Sequence, residues 1–297
     1  MVTPNNNNKY YKMEYNGEGN TFNITYGRVN VTEIKETNLI SKYDSILKSK
    51  IKKGYKDVTD LMVEEDYKVI KTDNEFLSLM EKYRKNLINN TYLSKVVTKK
   101  QKEECQSLLN QISKDKTRPK DEVNSLILNL YSIIPRKMLN VNDFLLPNIN
   151  LDSFIQKEQD NIDALTIKEQ EYINIDIKEV KEEIKEFSYL LEQTPYYSNK
   201  KIKDMNIKVY SINNIENQQK FNKFNKEYNK ILVHGTRNSS VLSILEQGLK
   251  IRPTSNFTFS GKVYGNGVYF SEVVKKSLNY TGNDKDKVLL VYDVYVG

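Results

Sequence analysis

One cysteine, one histidine and no tryptophan occur in 297 residues. A single cysteine, Cys105, excludes a disulfide within the chain, and its polar, helical surroundings make it a structural thiol. One cysteine and one histidine cannot build a Cys/His zinc site, so no metal is expected. No window approaches the length of about 18 uninterrupted apolar residues that a membrane helix needs. The start, "MVTPNNNNKYYK", has no apolar segment of a secretory signal. The expectation is a protein inside the cell, nuclear or cytoplasmic, with no membrane partner.

What is present is an ordinary globular composition, 38% hydrophobic and 29% charged, on a length that suggests about two domains or three small ones. The net charge of +7 is mild, and alone it speaks for solubility. Its placement says more. Residues 1–56 hold ten Lys/Arg against five Asp/Glu, so +5 lies in the first fifth of the chain. Within 42–56, Lys42, Lys48, Lys50, Lys52, Lys53 and Lys56 face one acid, Asp44.

Three segments follow one another. Residues 9–29 predict a β-hairpin, with Tyr11, Met13 and Tyr15, then Phe22, Ile24 and Tyr26, alternating with polar residues. Asn16-Gly17 and Gly19-Asn20 supply its loop. Leu39, Tyr43, Ile46, Leu47 and Ile51 predict a helix over 39–53 with lysines on its other face. That face is either simply solvated or a nucleic-acid surface. Residues 57–75 predict a linker. From 76 to 170 the period is helical: "DNEFLSLMEKYRKNL", "KKQKEECQSLLNQI" and "DEVNSLILNLYSII", the last stopped by Pro135, then a loop and a helix in "LPNINLDSFIQKEQDNIDAL". From 171 strands return in "INIDIKEV", "DMNIKVYSI", "KILVHGT" and the buried-looking run "KVLLVYDVYV". Helices are predicted over 180–192, over "VLSILEQ" capped by Asn238 or Ser239 and closed by Gly248, and over "SEVVKKSLNY" capped by Ser271. "GKVYGNGVYF" predicts a glycine-punctuated loop entering a strand.

The lone histidine ends a strand and is followed by glycine, so one ring stands beside a backbone without a Cβ. Tyr269 lies 35 positions on, and Ser277 and Tyr280 are three apart on a predicted helix. A hydroxyl beside an aromatic plane suits a planar amide. Each element alone has a plain reading: a core histidine, a turn glycine, a helix cap.

Together, "LVHGTR", "ILEQGLKIRP" and "GKVYGNGVYFSEVVKKSLNY" closely resemble the catalytic domain of the poly(ADP-ribose) polymerases. The resemblance implies that His234 bonds the adenosine ribose of NAD and Gly235 its nicotinamide carboxamide. Ser277 would bond the same carboxamide, Tyr269 and Tyr280 would enclose the ring, and Lys276 would lie close by. His234 and Tyr269 would be the catalytic pair, and NAD would be consumed as substrate. "NKYYKMEYNGEGNTFNITYGRV" resembles the family's WGR domain, with Tyr26-Gly27-Arg28 in the name-giving position and tyrosine in place of tryptophan. That implies binding to DNA ends or nicks through Tyr26, Arg28, Lys50 and Lys53, with Arg28 linking to the helical segment. "NLYSIIPRKM" resembles the family's regulatory helical domain.

The expected fold class is α+β, in three parts. A WGR-like sheet-plus-helix module spans 1–70, an all-α regulatory bundle spans 76–170, and an incomplete mixed α/β ADP-ribosyltransferase domain spans 171–297. The family's third signature residue, a glutamate well beyond the tyrosine, has no counterpart among Glu272, Asp284, Asp286 and Asp293. Without that carboxylate, polymer elongation should fail first. The apolar strand at the C-terminus expects neighbours. A longer product, a second chain completing the sheet, or a degenerate domain would each answer that. The expected function is transfer of ADP-ribose from NAD to protein acceptors. The alternative is an inactive relative that binds NAD or DNA as decoy or scaffold.

Overall fold

The computed structural model of the chain describes residues 2–3, 7–29, 31, 33–59, 74–92, 96–115, 117–167, 176–180, 206–224, 226–251 and 267–296. Most of the 57–75 linker, the 180–192 helix beyond Val180 and the first six residues of "GKVYGNGVYF" lie outside them. The described residues mix helices with small sheets, an α+β composition. They divide into two compact units. One comprises Met1–Tyr67, Leu87–Gln170 and Pro253–Val263; the other Lys68–Asn86, Glu171–Arg252 and Tyr264–Gly297.

The first unit begins with a four-stranded antiparallel sheet in sequential order: β1 (Val2–Thr3), β2 (Asn7–Glu14), β3 (Thr21–Arg28) and β4 (Ile34–Leu39). The predicted hairpin is β2–β3, and its loop turns at Gly17 (φ +83°) and Gly19 (φ +74°), a region that side chains with a Cβ avoid. Helix α1 (Tyr43–Lys52) follows a single 3-10 turn, Ile40–Lys42. This corrects the predicted helix start: Leu39 belongs to β4 and is exposed, because Thr21 pairs with it. Ile51 is exposed as well, so the apolar stripe of α1 is shorter than its spacing suggests. Phe22 and Ile24 are buried, and Tyr43 of α1 stands edge-on to Phe22 at 5.0 Å.

The helical part holds the C-terminal end of α2 (Glu75–Thr91), β5 (Val96–Val97), α3 (Lys99–Lys114), α4 (Lys120–Ile133), α5 (Leu151–Ala164) and β6 (Thr166–Ile167), with β5 and β6 parallel. Thr98 and Gln101 form a reciprocal capping box at α3, and Asn150 caps α5. Ile88, Leu109, Ile112, Ile127, Leu130, Ile155 and Ile162 make its core. The sheet docks on the segment after Pro135. Asn8 donates to the carbonyls of Arg136 and Met138 (3.2 and 2.8 Å), and Arg28 donates to that of Leu139 (2.5 Å).

The second unit contains the N-terminal part of α2, the antiparallel pair β7 (Asp176–Val180) and β8 (Val209–Asn213), α6 (Ile215–Phe221), β9 (Asn229–Gly235), α7 (Asn238–Gln247), α8 (Val274–Leu278) and β10 (Leu289–Tyr295). Strands β9 and β10 pair antiparallel, Val233 opposite Val291 and His234 opposite Leu290. One face of this ribbon, through Leu290, packs with Leu77, Met80, Val241, Leu242 and Leu245. The other, through Val233 and Leu289, packs with Val274, Leu278 and Ile207. Buried Arg84 ties α2 to α7 by ion pairs to Glu81 (2.6 Å) and Glu246 (3.2 Å). β10 is not the buried run that its composition suggests: Leu290 is buried, whereas Val291 and Tyr295 on the opposite face are exposed.

Candidate functional site

Ile231, Leu232 and Val233 carry β9 through the second unit and deliver His234 and Gly235 to its end. A reciprocal pair of backbone hydrogen bonds, both 2.9 Å, joins Val233 to Ser271. That bridge brings the Tyr269-Phe270 backbone alongside the histidine. His234 Nδ1 lies 2.9 Å from the Tyr269 carbonyl oxygen. A carbonyl only accepts, so Nδ1 carries the proton and donates. Burial lowers the pKa of the ring, the bond to Tyr269 opposing it in part. The neutral tautomer therefore presents Nε2 as a hydrogen-bond acceptor. The Phe270 ring tilts against the imidazole at 5.8 Å.

Gly235 is needed for space. A Cβ built there would meet the backbone oxygen of Ser277 at 1.8 Å and its carbonyl carbon at 2.6 Å. Helix α8 thus lies against the strand end with no room for any larger residue. Ser277 is 4% exposed, and its hydroxyl donates to the Val233 carbonyl (2.9 Å). With that proton committed, the oxygen offers a ligand its lone pairs.

The other nominated residues are placed differently. Tyr269 reaches the histidine through its backbone carbonyl, and Gly267–Phe270 form no strand, only the single bridge at Ser271. Ser271 does not cap α8. Its hydroxyl accepts from the Val273 amide (3.0 Å), a local turn that delays the helix to Val274. Tyr280 stands beyond the end of α8, where its amide bonds the Ser277 carbonyl (3.1 Å); it is 41% exposed and shares no helix face with Ser277. Lys276 is exposed. Asn238 is not a cap either: it is buried inside α7, and its side chain donates to the Asp286 carbonyl (3.0 Å). Gly248, with φ +75°, ends the helix as its position suggests.

In the first unit only two of the four nominated residues meet. Tyr26 and Lys50 meet in a cluster with Tyr11 and Tyr55. Arg28 reaches the Leu139 carbonyl, and Lys53 is exposed just past α1. Sequence reasoning missed Tyr11 and Tyr55 as partners of Lys50. The signal was available for Tyr11, because the hairpin register sets it directly opposite Tyr26. Phe270, the aromatic neighbour of His234, was missed as well.

Residues 181–297 match the poly(ADP-ribose) polymerase catalytic domain, a span that includes His234, Gly235, Tyr269, Lys276, Ser277 and Tyr280. The chain is 44% identical over 174 residues to an uncharacterized protein of Invertebrate iridescent virus 6, covering 56% of this chain and 74% of that protein. It is 47% identical over 120 residues to a poly(ADP-ribose) polymerase-like protein of the same virus, covering 39% of this chain and 63% of the other. A poly(ADP-ribose) polymerase 2-B of Oryza sativa subsp. japonica is 33% identical over 95 residues, 31% of this chain and 16% of that protein.

Proposed function

The chain belongs to the poly(ADP-ribose) polymerase family, and from that premise we propose that the end of β9 holds NAD by its adenosine ribose and its nicotinamide carboxamide for transfer of ADP-ribose to protein acceptors, with release of nicotinamide. The observation that carries this reading is the His234–Tyr269 bond, which leaves a neutral ring with Nε2 free to accept from a ribose hydroxyl. Beside it, Gly235 yields its side-chain space to the Ser277 backbone, which holds Ser277 against the strand end, and the Gly235 backbone would bond the carboxamide. The lone pairs of Ser277 Oγ suit the carboxamide N–H. Tyr269 and Tyr280 would lie along the nicotinamide ring and Lys276 at its margin. No metal is called on: hydrogen bonds and ring contacts supply the binding. The helical segment 76–170 would regulate this site, and the module 1–70 would bind DNA ends or nicks through Tyr26, Arg28, Lys50 and Lys53.

The test is incorporation of labelled NAD by the purified chain, with and without nicked DNA, beside a His234→Ala control. Label above that control supports transfer; none rejects it for this chain. Melting in the presence of NAD or nicotinamide separates binding from turnover, because a ligand of the folded state raises its stability by about 2.7 kcal/mol at a hundredfold excess over Kd. Stabilisation without labelling would leave a ligand-binding role, and absence of both rejects the site.

A further inference from the structure

Tyr11 on β2 and Tyr26 on β3 sit opposite each other in register, with rings stacked at 5.3 Å and 27°. After α1 the chain turns back at Gly54 (φ +88°), and Tyr55 meets Tyr11 nearly edge-on at 6.3 Å. Into the space between these rings the last turn of α1 sends Lys50. Its Nζ is 3.7 Å from the Tyr11 ring centroid and 5.8 Å from those of Tyr26 and Tyr55. The Tyr26 hydroxyl donates to Glu36 (2.6 Å), setting a carboxylate beside the cluster. Three tyrosine rings and a carboxylate around an ammonium are the parts of a cation-recognition cage. Here the chain fills the cage with its own lysine.

Two features bear on what takes its place. The lysine and all three rings are only half-buried, so Lys50 can leave without opening the core. Its neighbours Lys48, Lys52, Lys53 and Lys56 are exposed. A cationic peptide aimed at the cage must approach this positive segment, whereas a polyanion is drawn to it. Burial first and Lys53 second disfavour the charged form of Lys50, and Glu36 opposes them in part.

Resting on the nucleic-acid reading of this module, we propose that Lys50 is a displaceable plug in the Tyr11–Tyr26–Tyr55 cage. A single-stranded or end-exposed nucleic acid draws the ammonium onto a phosphate, and a base or sugar ring takes its place against Tyr11. Phosphate contact and ring stacking are then one event. Base–aromatic stacking and the phosphate contact together replace the cation–π contacts that the lysine gives up. A ligand with phosphates and no accessible ring gains only the first half.

The experiment follows the Lys50 side-chain methylene signals by NMR in the full chain, assigned with Lys50→Met. Ring currents displace these signals while the lysine is caged. The probes are a 5′-phosphorylated oligothymidylate of about eight nucleotides, inorganic tripolyphosphate, and a trimethyllysine peptide. With the oligonucleotide, the displacement is expected to collapse on binding. Lys50→Met should lower the slope of log affinity against log salt by about 0.7. Tyr11→Leu should weaken binding by about tenfold or more with the slope unchanged, and tripolyphosphate should bind more weakly than the oligonucleotide. Oligonucleotide binding with the Lys50 signals unmoved overturns the plug and leaves the nucleic-acid reading standing. Failure of both the oligonucleotide and nicked duplex to bind overturns both. Displacement of Lys50 by the trimethyllysine peptide and not by the oligonucleotide overturns the proposal in favour of a cationic ligand.

Discussion

The backbone carbonyl of Ser277 occupies the place where Gly235 would carry a side chain, 1.8 Å from a Cβ built there. The strand end and helix α8 are therefore fitted to each other through main chain, and neither can yield by rotating a side chain. Overpacking a core commonly costs about 1–3 kcal/mol, and more when backbone must move. Gly235→Ala is expected to reach at least about 3 kcal/mol, read as a fall in the urea midpoint, and to abolish stabilisation by nicotinamide. Ser277→Ala removes only the hydroxyl donated to Val233, at about 1 kcal/mol. Because the clash is with backbone, Ser277→Ala will not rescue Gly235→Ala. A rescued double variant would show the approach to be looser than the structure has it.

How much of this was legible beforehand differs from residue to residue. The hairpin, the helices of the first unit and the His-Gly strand end followed from periods of two and of about 3.6, which solvent enforces locally. β4 was missed because Ile34–Leu39 holds little that is apolar. It pairs through backbone, and its residues are nearly all exposed. The start of α8 was misjudged because Ser271 hydrogen-bonds locally to Val273, a choice that competes with capping and leaves the same composition. The Gly235–Ser277 approach was beyond any local signal, since 42 positions separate the two residues and the fit is set by packing. The same holds for Lys50, whose spacing places it on the polar side of a helix while three rings enclose its ammonium.

A pH dependence follows from His234. Burial lowers its folded-state pKa below the ordinary value of about 6.5 that the unfolded chain retains. The unfolded state then takes the proton first as pH falls. The stability tied to the neutral ring is complete above the unfolded value and is lost as pH drops through it toward the folded one. Urea unfolding at about pH 7.5 and about pH 5.5 should show a larger loss for the native chain than for His234→Gln. Carboxylates contribute to both chains and cancel in that comparison. An equal loss in the two would mean that the imidazole is not held neutral by its surroundings.

Cys105 gives a direct reading of folding. It is buried within the helical core, and burial pushes its thiol up to about 12. At about pH 8 roughly one molecule in ten thousand would hold the reactive thiolate. Alkylation by iodoacetamide is expected to be undetectable in the folded protein and complete in urea, with a midpoint matching loss of helical signal. Rapid labelling of the folded chain would place the thiol in a far more open environment.

A buried ionic contact joins Arg136 and Glu158. Both side chains are almost wholly buried; Nη2 approaches Oε2 at 2.6 Å and Nη1 donates to Oε1 at 3.3 Å. The closer approach is off the N–H axis, so it is an ionic contact more than an aligned hydrogen bond. The guanidinium also lies over Tyr92 at 4.3 Å and near Tyr131 at 5.3 Å. The Arg136 backbone receives Asn8 from the sheet, so the pair anchors the segment on which β2 and β3 rest. Removing one partner strands the other charge in a dry core, at about 3–5 kcal/mol. Arg136→Met and Glu158→Leu should each lose that much in urea unfolding. The double variant removes both charges and should be more stable than either single one, because hydrophobic replacement of a whole buried pair is often neutral. Singles costing under about 1 kcal/mol, the range of exposed pairs, would mean that water reaches the site. Additive losses in the double variant would mean that the two residues act separately, Arg136 through its tyrosine stack and Glu158 through Asn161, whose amide also donates to it at 3.2 Å.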